Sequence, residues 1–379
     1  MSGRVVDRGA GRAEPPRSVN RAFRAGGGAM RQRMRLIVQW VVVLVGLNVL
    51  MWQLPALVGE ADRVGASLAE VSWGWVGMAV LFGSGALVLY GELHRRLLVA
   101  GGARVPGRSV QAINFAENAL STTLPAVGNA AGFVYAAHHL RKRQVDVGLA
   151  VWSLVLAGAV ATVALIALGL LAVGVAGQIP VLVAVPLATG VVLGAWGCWR
   201  VASRPQVLRR CASGLIGLGR HLPASCRVRA ADPEALAQRV SDRIGLLRPS
   251  VIQWMLITGC AGLSWVLDFL SLFASVTAVG HLVPWSALVV GFLVVQASIA
   301  LQIFPGGVGL AEGGLLGVLV AYGVPVAPAV AGVLVYRLIN WLGLAAMGWV
   351  VYAVQIHLTS HHQHRRAPEC PGCGPATTR

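Results

Sequence analysis

Apolar runs of about 20 residues, the length that crosses ~30 Å of hydrocarbon as a helix, recur from one end of the chain to the other. Segments 36–54, 73–93, 148–175, 180–199, 251–275 and 327–354 read as full membrane spans. Two further apolar stretches are interrupted. Residues 110–137 break at Leu124-Pro125-Ala126-Val127-Gly128, and residues 286–322 break at Phe304-Pro305-Gly306-Gly307-Val308-Gly309. One carboxylate, Glu117 or Glu312, lies close to each break. As a helix, the limb Val110–Leu124 would be ~22 Å long, too short to cross comfortably.

Charge orients these segments, because loops rich in Arg and Lys stay on the cytosolic side. Residues 1–35 carry nine arginines and are placed inside. The loop with Glu60, Asp62, Arg63 and Glu70 is net acidic and placed outside, and the loop with Arg95, Arg96, Arg104 and Arg108 returns inside. Arg141-Lys142-Arg143 is also basic, so 110–137 must enter and leave by the same face. Spans 148–175 and 180–199 are joined by an outer turn near Gln178 and Pro180, and the region Arg200–Pro249, with ten arginines, is inside. The basic segment His361–Arg366 puts the end of the last span inside, so the stretch starting at 284 must begin outside and finish outside near Val324.

The expected fold is therefore all-α. It is a polytopic membrane helix bundle of about six full spans plus two re-entrant broken hairpins in inverted repeat, about eight apolar segments in all. The alternative is two ordinary kinked spans in an eight-helix bundle. The expected organisation is a disordered Arg-rich cytosolic tail (1–35), a membrane domain (36–356) with a cytosolic loop at 200–250, and a disordered cytosolic tail (357–379).

Composition agrees with a membrane protein: 56% of residues are hydrophobic and 12% charged, more apolar than a soluble globule needs for its core. The net charge of +17 resides in loops, where topology and lipid headgroups account for it and nucleic acid does not. Lys142 is the sole lysine, the codon bias of a GC-rich bacterial genome, and the expected location is the bacterial inner membrane with both termini cytosolic. The six cysteines fall on membrane or cytosolic segments and are expected as free thiols. Cys370-Pro371-Gly372-Cys373 with His361, His362 and His364 forms half of a zinc ribbon, but no second Cys pair completes it, so no metal is expected. Segment 232–247 has helical apolar spacing and reads as an amphipathic helix on the inner leaflet or a packed loop helix. No catalytic motif or soluble catalytic domain is visible, so neither an enzyme nor a cofactor is expected.

Backbone groups freed by a break cannot stay unpaired in lipid, so a break at depth is buried in protein or lines a wet cavity. The helix that resumes after it points its amides at that cavity, which suits a phosphate or carboxylate. Gly306, Gly307 and Gly309 fit this role, or serve close helix packing instead. Glu312, in the first turn after the break, caps its own helix or acts as an intramembrane acid. Arg337, between Tyr336 and Leu338, can grip a phosphate in two-point fashion or pair internally with Glu312, with Asp268 as the competing partner. Glu117 belongs to a polar stripe with Asn114, Asn118, Ser121, Thr122 and Thr123 ahead of Pro125, expected to line the cavity from the cytosolic side.

The run Phe304–Glu312, followed by Gly323-Val324 and by Tyr336-Arg337-Leu338, resembles the lysylphosphatidylglycerol synthase transmembrane-region family of flippase-like proteins. Leu124-Pro125 with Gly128 and the segment Tyr135–Arg143 resembles that family's earlier Pro-Gly motif, so the likeness runs over about 36–356. Members fused to a cytosolic aminoacyl-transferase domain make and translocate aminoacylated phosphatidylglycerol, while shorter members carry the membrane part alone. This chain is expected to be of the short kind, since its region 200–250 cannot hold the transferase. The resemblance implies a flippase or transporter of an anionic phospholipid or lipid-linked precursor. Its site would draw on Arg337, Glu312, Pro305, Gly306, Gly307, Gly309, Tyr336, Asp268, Glu117, Asn118, Pro125 and Gly128. Two departures stand out: Asn129 occupies a place where the family commonly has an acid, and the span from Val147 lacks a counterpart of Arg337. A non-catalytic accessory subunit of an envelope-biosynthesis enzyme, or an embedded transferase using a lipid-linked donor, remains the alternative.

Overall fold

The computed structural model describes residues 61–124, 128–202, 249–281, 283–301 and 305–364, and the regular structure among them is entirely helical. The expected span 36–54, the amphipathic segment 232–247, Pro125 and the Cys370/Cys373 tail lie outside the described residues. In chain order the helices are α1 (Ala61–Ala69), α2 (Trp73–Ala100), α3 (Gly107–Thr123), α4 (Gly128–Lys142), α5 (Val147–Val175) and α6 (Val181–Ala202). After the undescribed region come α7 (Val251–Thr277), α8 (Trp285–Ala300), a 3-10 turn (Pro305–Gly307), α9 (Leu310–Ala321), α10 (Val326–Arg337), a π-helical segment (Leu338–Gly343) and α11 (Leu344–His364).

Among the described residues, five helical stretches are long and apolar enough to cross a membrane: 73–100, 147–175, 181–201, 251–277 and 326–354. Helices α3, α4, α8 and α9 are shorter, with 17, 15, 16 and 12 residues. They are the limbs of the two stretches that the sequence shows as broken.

The central seam is the pair α2 and α7. Small residues let their backbones approach: Ser271 Oγ donates to the Ala79 carbonyl and Ser264 Oγ to the Ala86 carbonyl, both at 2.8 Å. Such hydroxyl-to-backbone bonds between spans satisfy polar groups where lipid offers no partner. The two helices run antiparallel. The Ser72 amide, just before α2, donates to the carbonyl of Ala278, just after α7. At the other end, Leu93 and Leu97 pack with Ile257 and Ala261.

Each broken pair closes on itself and brings its two ends together. Val105 and Val110 at the start of the α3/α4 pair cluster with Leu140 and Val145 at its end, against Leu98 at the end of α2. The Arg143 guanidinium reaches Ser109 across the same ends. In the α8/α9 pair, Ala287 and Leu288 cluster with Leu319 and Val324, against Val276 at the end of α7. Because α2 and α7 are antiparallel, the two pairs have their ends at opposite ends of the seam. Their packing is reciprocal as well: α3 lies on α11, in the span that follows the second pair, and α8 lies on α5, which follows the first.

Candidate functional site

The second break is shaped by glycine. Gly306, Gly307 and Gly309 have φ of 60°, 72° and 86°, left-handed values that other residues adopt with strain. Gly306 also lies so close to the indole of Trp341 that a Cβ would collide with it. Gly307 faces Ile299, whose backbone nitrogen and Cα would stand 3.3 Å from an added Cβ. With this tight turn the chain reverses at the end of α8 and restarts as α9.

Glu312, three residues into the new helix, folds back so that the Gly309 amide donates to its Oε2 at 2.6 Å. This satisfies one of the orphan donors at the helix start. Its other oxygen, Oε1, accepts from Arg337 Nε at 2.6 Å. Arg337 Nη2 donates to the Gly306 carbonyl at 2.8 Å. One guanidinium therefore holds a carbonyl within the break and the carboxylate after it, a use of its rigid fork that an ammonium cannot reproduce. Of the two partners foreseen for Arg337, the structure brings it to Glu312. Its Nη1 has no protein acceptor among the described residues.

Asp268 has partners of its own. Gln296 Nε2 donates to its Oδ2 at 2.8 Å, and the Tyr336 hydroxyl donates to its Oδ1 at 3.4 Å. Tyr336 and Arg337, adjacent in sequence, thus serve two separate acids on either side of α10. Tyr336 is buried in the apolar cluster around α8 and α9.

Helix α10 passes at Leu338 into six residues of π-helix. Single π turns inside α-helices recur at functional sites, and this one presents Asn340 and Trp341 inward. Asn340 Nδ2 donates to Ser271 Oγ at 2.7 Å, tying the segment to the central seam. Trp341 stands with its ring centroid 5.5 Å from the Arg337 guanidinium carbon. Its Nε1 donates to the Thr122 carbonyl at 3.3 Å, at the last turn before the first break. Trp341 is therefore the side chain that joins the two breaks, through Gly306 on one side and Thr122 on the other. Nothing in the local sequence marks it, whereas Gln296, a lone amide in an apolar helix, carries a visible signal.

The first break is built of uncharged groups. Gly128 opens α4 where a Cβ would stand 2.5 Å from the Ser121 carbonyl oxygen and 2.9 Å from that of Leu120, so only glycine lets α4 fold back on α3. Much of the polar stripe is spent within the protein. Asn114 Nδ2 donates to the Leu87 carbonyl at 2.8 Å, Thr122 Oγ1 to the Asn118 carbonyl at 2.7 Å and Thr123 Oγ1 to the Ala119 carbonyl at 2.6 Å. Trp349 Nε1 of α11 donates to Thr123 Oγ1 at 3.2 Å. Glu117 is different: its Oε2 is buried and has no hydrogen-bond partner.

Long apolar helices, two broken pairs and a charged clamp at one break define a multi-pass integral membrane protein whose polar centre lies among its helices. A profile of the family described as the lysylphosphatidylglycerol synthase TM region matches residues 30–348, and the chain belongs to that family. No individual curated protein matches the sequence significantly.

Proposed function

We propose that this protein binds an anionic lipid headgroup at the Arg337 clamp and lets it pass between leaflets of the bacterial inner membrane, as a flippase or a transporter of a lipid-linked precursor. The observation that carries this reading is the geometry of Arg337. Its guanidinium sits at the second break, held by Glu312 and Gly306 with Nη1 left without a protein acceptor among the described residues, and stands 5.5 Å from the ring of Trp341, whose Nε1 reaches the first break. A headgroup phosphate would compete with Glu312 for the fork, in keeping with the bidentate preference of guanidinium for phosphate. Glu312 then acts as the internal anion that keeps the site neutral while no lipid is bound.

In this reading the two broken pairs are re-entrant hairpins of an inverted repeat, entering from opposite faces, with about six full spans around them. The antiparallel seam, the ends of each pair held together and the reciprocal packing of each pair on the span after the other support that arrangement. Both termini are then cytosolic, by the positive-inside bias of the loops. The proposed activity is movement without bond making, so no cofactor is invoked, and the proposed partners are membrane lipids.

The test is headgroup accessibility of fluorescent anionic phospholipid in liposomes holding purified protein. Wild type is expected to expose inner-leaflet probe to an external quencher faster than protein-free vesicles, and Arg337→Ala to lose most of that gain. Equal rates in protein-free, wild-type and Arg337→Ala vesicles sink the proposal and favour an accessory or transferase role.

A further inference from the structure

Glu117 stands apart from the other half-buried acids of the bundle. Glu312 has Arg337, Glu92 has Arg95 and Arg96, and Asp268 has Gln296 and Tyr336. Glu117 has none of these: its Oε2 is sealed from solvent and lacks any hydrogen-bond partner. Around it, α4 brings Gly132, where an added Cβ would lie 2.9 Å from the Glu117 carbonyl oxygen and 3.2 Å from its Cγ. Helix α2 packs on α3 and carries the Tyr90 phenol on the side of Glu117. Helix α11 packs on the other face of α3, where Gly348 lies against Phe115 and Ala119. The Pro305–Gly307 turn also meets α3, and Trp341 beside Gly306 donates to the Thr122 carbonyl. Among the described residues no cation faces the carboxyl from any of these elements.

An ionised carboxylate so placed would be an unpaired charge with one oxygen shut off from water, which proteins avoid by pairing it or by neutralising it. Pairing is absent here. We propose that Glu117 is a proton-binding site: it holds one H⁺ while α3 and α4 are packed, and releases it to water when the pair opens. The neutral carboxyl permits the close approach at Gly132, and the ionised one opposes it. Transport would thereby be coupled to proton movement through the first hairpin, while the second handles the headgroup. The coupling rests on the transport reading above; the proton site does not.

The site can be read directly with dicyclohexylcarbodiimide, an apolar reagent that adds to protonated carboxyl groups and leaves a stable adduct. Applied to wild-type protein in liposomes and followed by peptide mass spectrometry, it is expected to modify Glu117, with a yield that falls as pH rises from mildly acidic to mildly alkaline. Glu117→Gln removes that adduct. Arg337→Ala keeps it, so loss of lipid movement with labelling intact counts against the transport reading alone. A second measurement needs no reagent access: wild type should lose thermal stability as pH rises over the same range, and Glu117→Gln should not share that loss. A melting difference between the two proteins that is constant with pH, or an adduct at Glu117 whose yield ignores pH, overturns the proposal.

Discussion

Arg337 and Glu312, 25 residues apart in sequence, meet with Nε and Oε1 2.6 Å apart and hold the second break between them. The arginine ends one helix and the glutamate begins another, so the ion pair fixes the angle at which the chain resumes after Pro305-Gly306-Gly307. The other oxygen of the same carboxylate accepts from the Gly309 amide, so Glu312 also caps the helix that follows the turn.

Removing either partner should therefore destabilise the protein. Deleting one member of a fully buried pair costs ~3–5 kcal/mol, and here Glu312 is 30% exposed on its side chain, so about 1–3 kcal/mol is expected for Arg337→Ala. The double variant Arg337→Ala/Glu312→Ala should cost less than the sum of the singles. Denaturant unfolding in micelles would give the coupling energy, expected at ~1–3 kcal/mol. Additive losses would mean that the pair does not act as a unit.

Arg337→Lys separates charge from shape. The ammonium can face Glu312 or the Gly306 carbonyl but cannot span both as the fork does. Lipid movement in liposomes is expected to fall about tenfold or more, with a smaller loss of stability than Arg337→Ala shows.

The glycines of the break should rank by what surrounds them. Gly306→Ala adds a Cβ against the Trp341 indole at a positive φ, and is expected to cost ~2–4 kcal/mol from strain and collision together. Gly309→Ala has the same sign of φ but open space around it, so ~1–2 kcal/mol is expected. Thermal unfolding of the two variants side by side checks the order.

Trp341→Phe keeps a ring beside Gly306 and removes the donor to the Thr122 carbonyl. A loss of ~1 kcal/mol in stability is expected from the unmade bond. If the two breaks work as one site, this change should slow lipid movement even though Arg337 and Glu312 are untouched. Unchanged transport with the expected loss of stability would make Trp341 a packing residue alone.

Topology follows from single cysteines in a background without the native thiols. Arg104→Cys and Lys142→Cys, at exposed positions flanking the first pair, should react with a membrane-impermeant reagent from one side only, and from the same side. His281→Cys and Ala321→Cys, flanking the second, should react from the other. Opposite sides for 104 and 142 would turn the first pair into a full span.

Membrane class, the positions of the five long helices and the two places where the chain breaks were all legible in the sequence. Hydropathy over a span, loop charge and a Pro-Gly cluster act locally, each within a few turns of one segment. That is why segment 73–93 was legible as a span while its full extent, to Ala100, was not. Past Leu93 the polar residues Arg95 and Arg96 fold onto Glu92 within the same helix and let it continue.

The polar centre divided differently. The residue types came from the sequence, since an arginine and a glutamate in apolar surroundings are conspicuous one at a time. Which acid Arg337 takes was decided by tertiary structure. Asp268 is already engaged by Gln296 and Tyr336 when α7, α8 and α10 pack, and Glu312 is brought round by the reversal at Gly306. The polar stripe ahead of Pro125 shows the same limit, for Asn114, Thr122 and Thr123 were visible as polar, but only packing assigns their bonds to backbone carbonyls and leaves Glu117 without one. By itself the sequence determined what must lie in the membrane and where the chain must bend, because those depend on the transfer energy of each segment taken alone. Only the tertiary structure decided the pairings and Trp341's place between the breaks, because a hydrogen bond depends on ångström-scale approach of side chains from helices far apart in the chain.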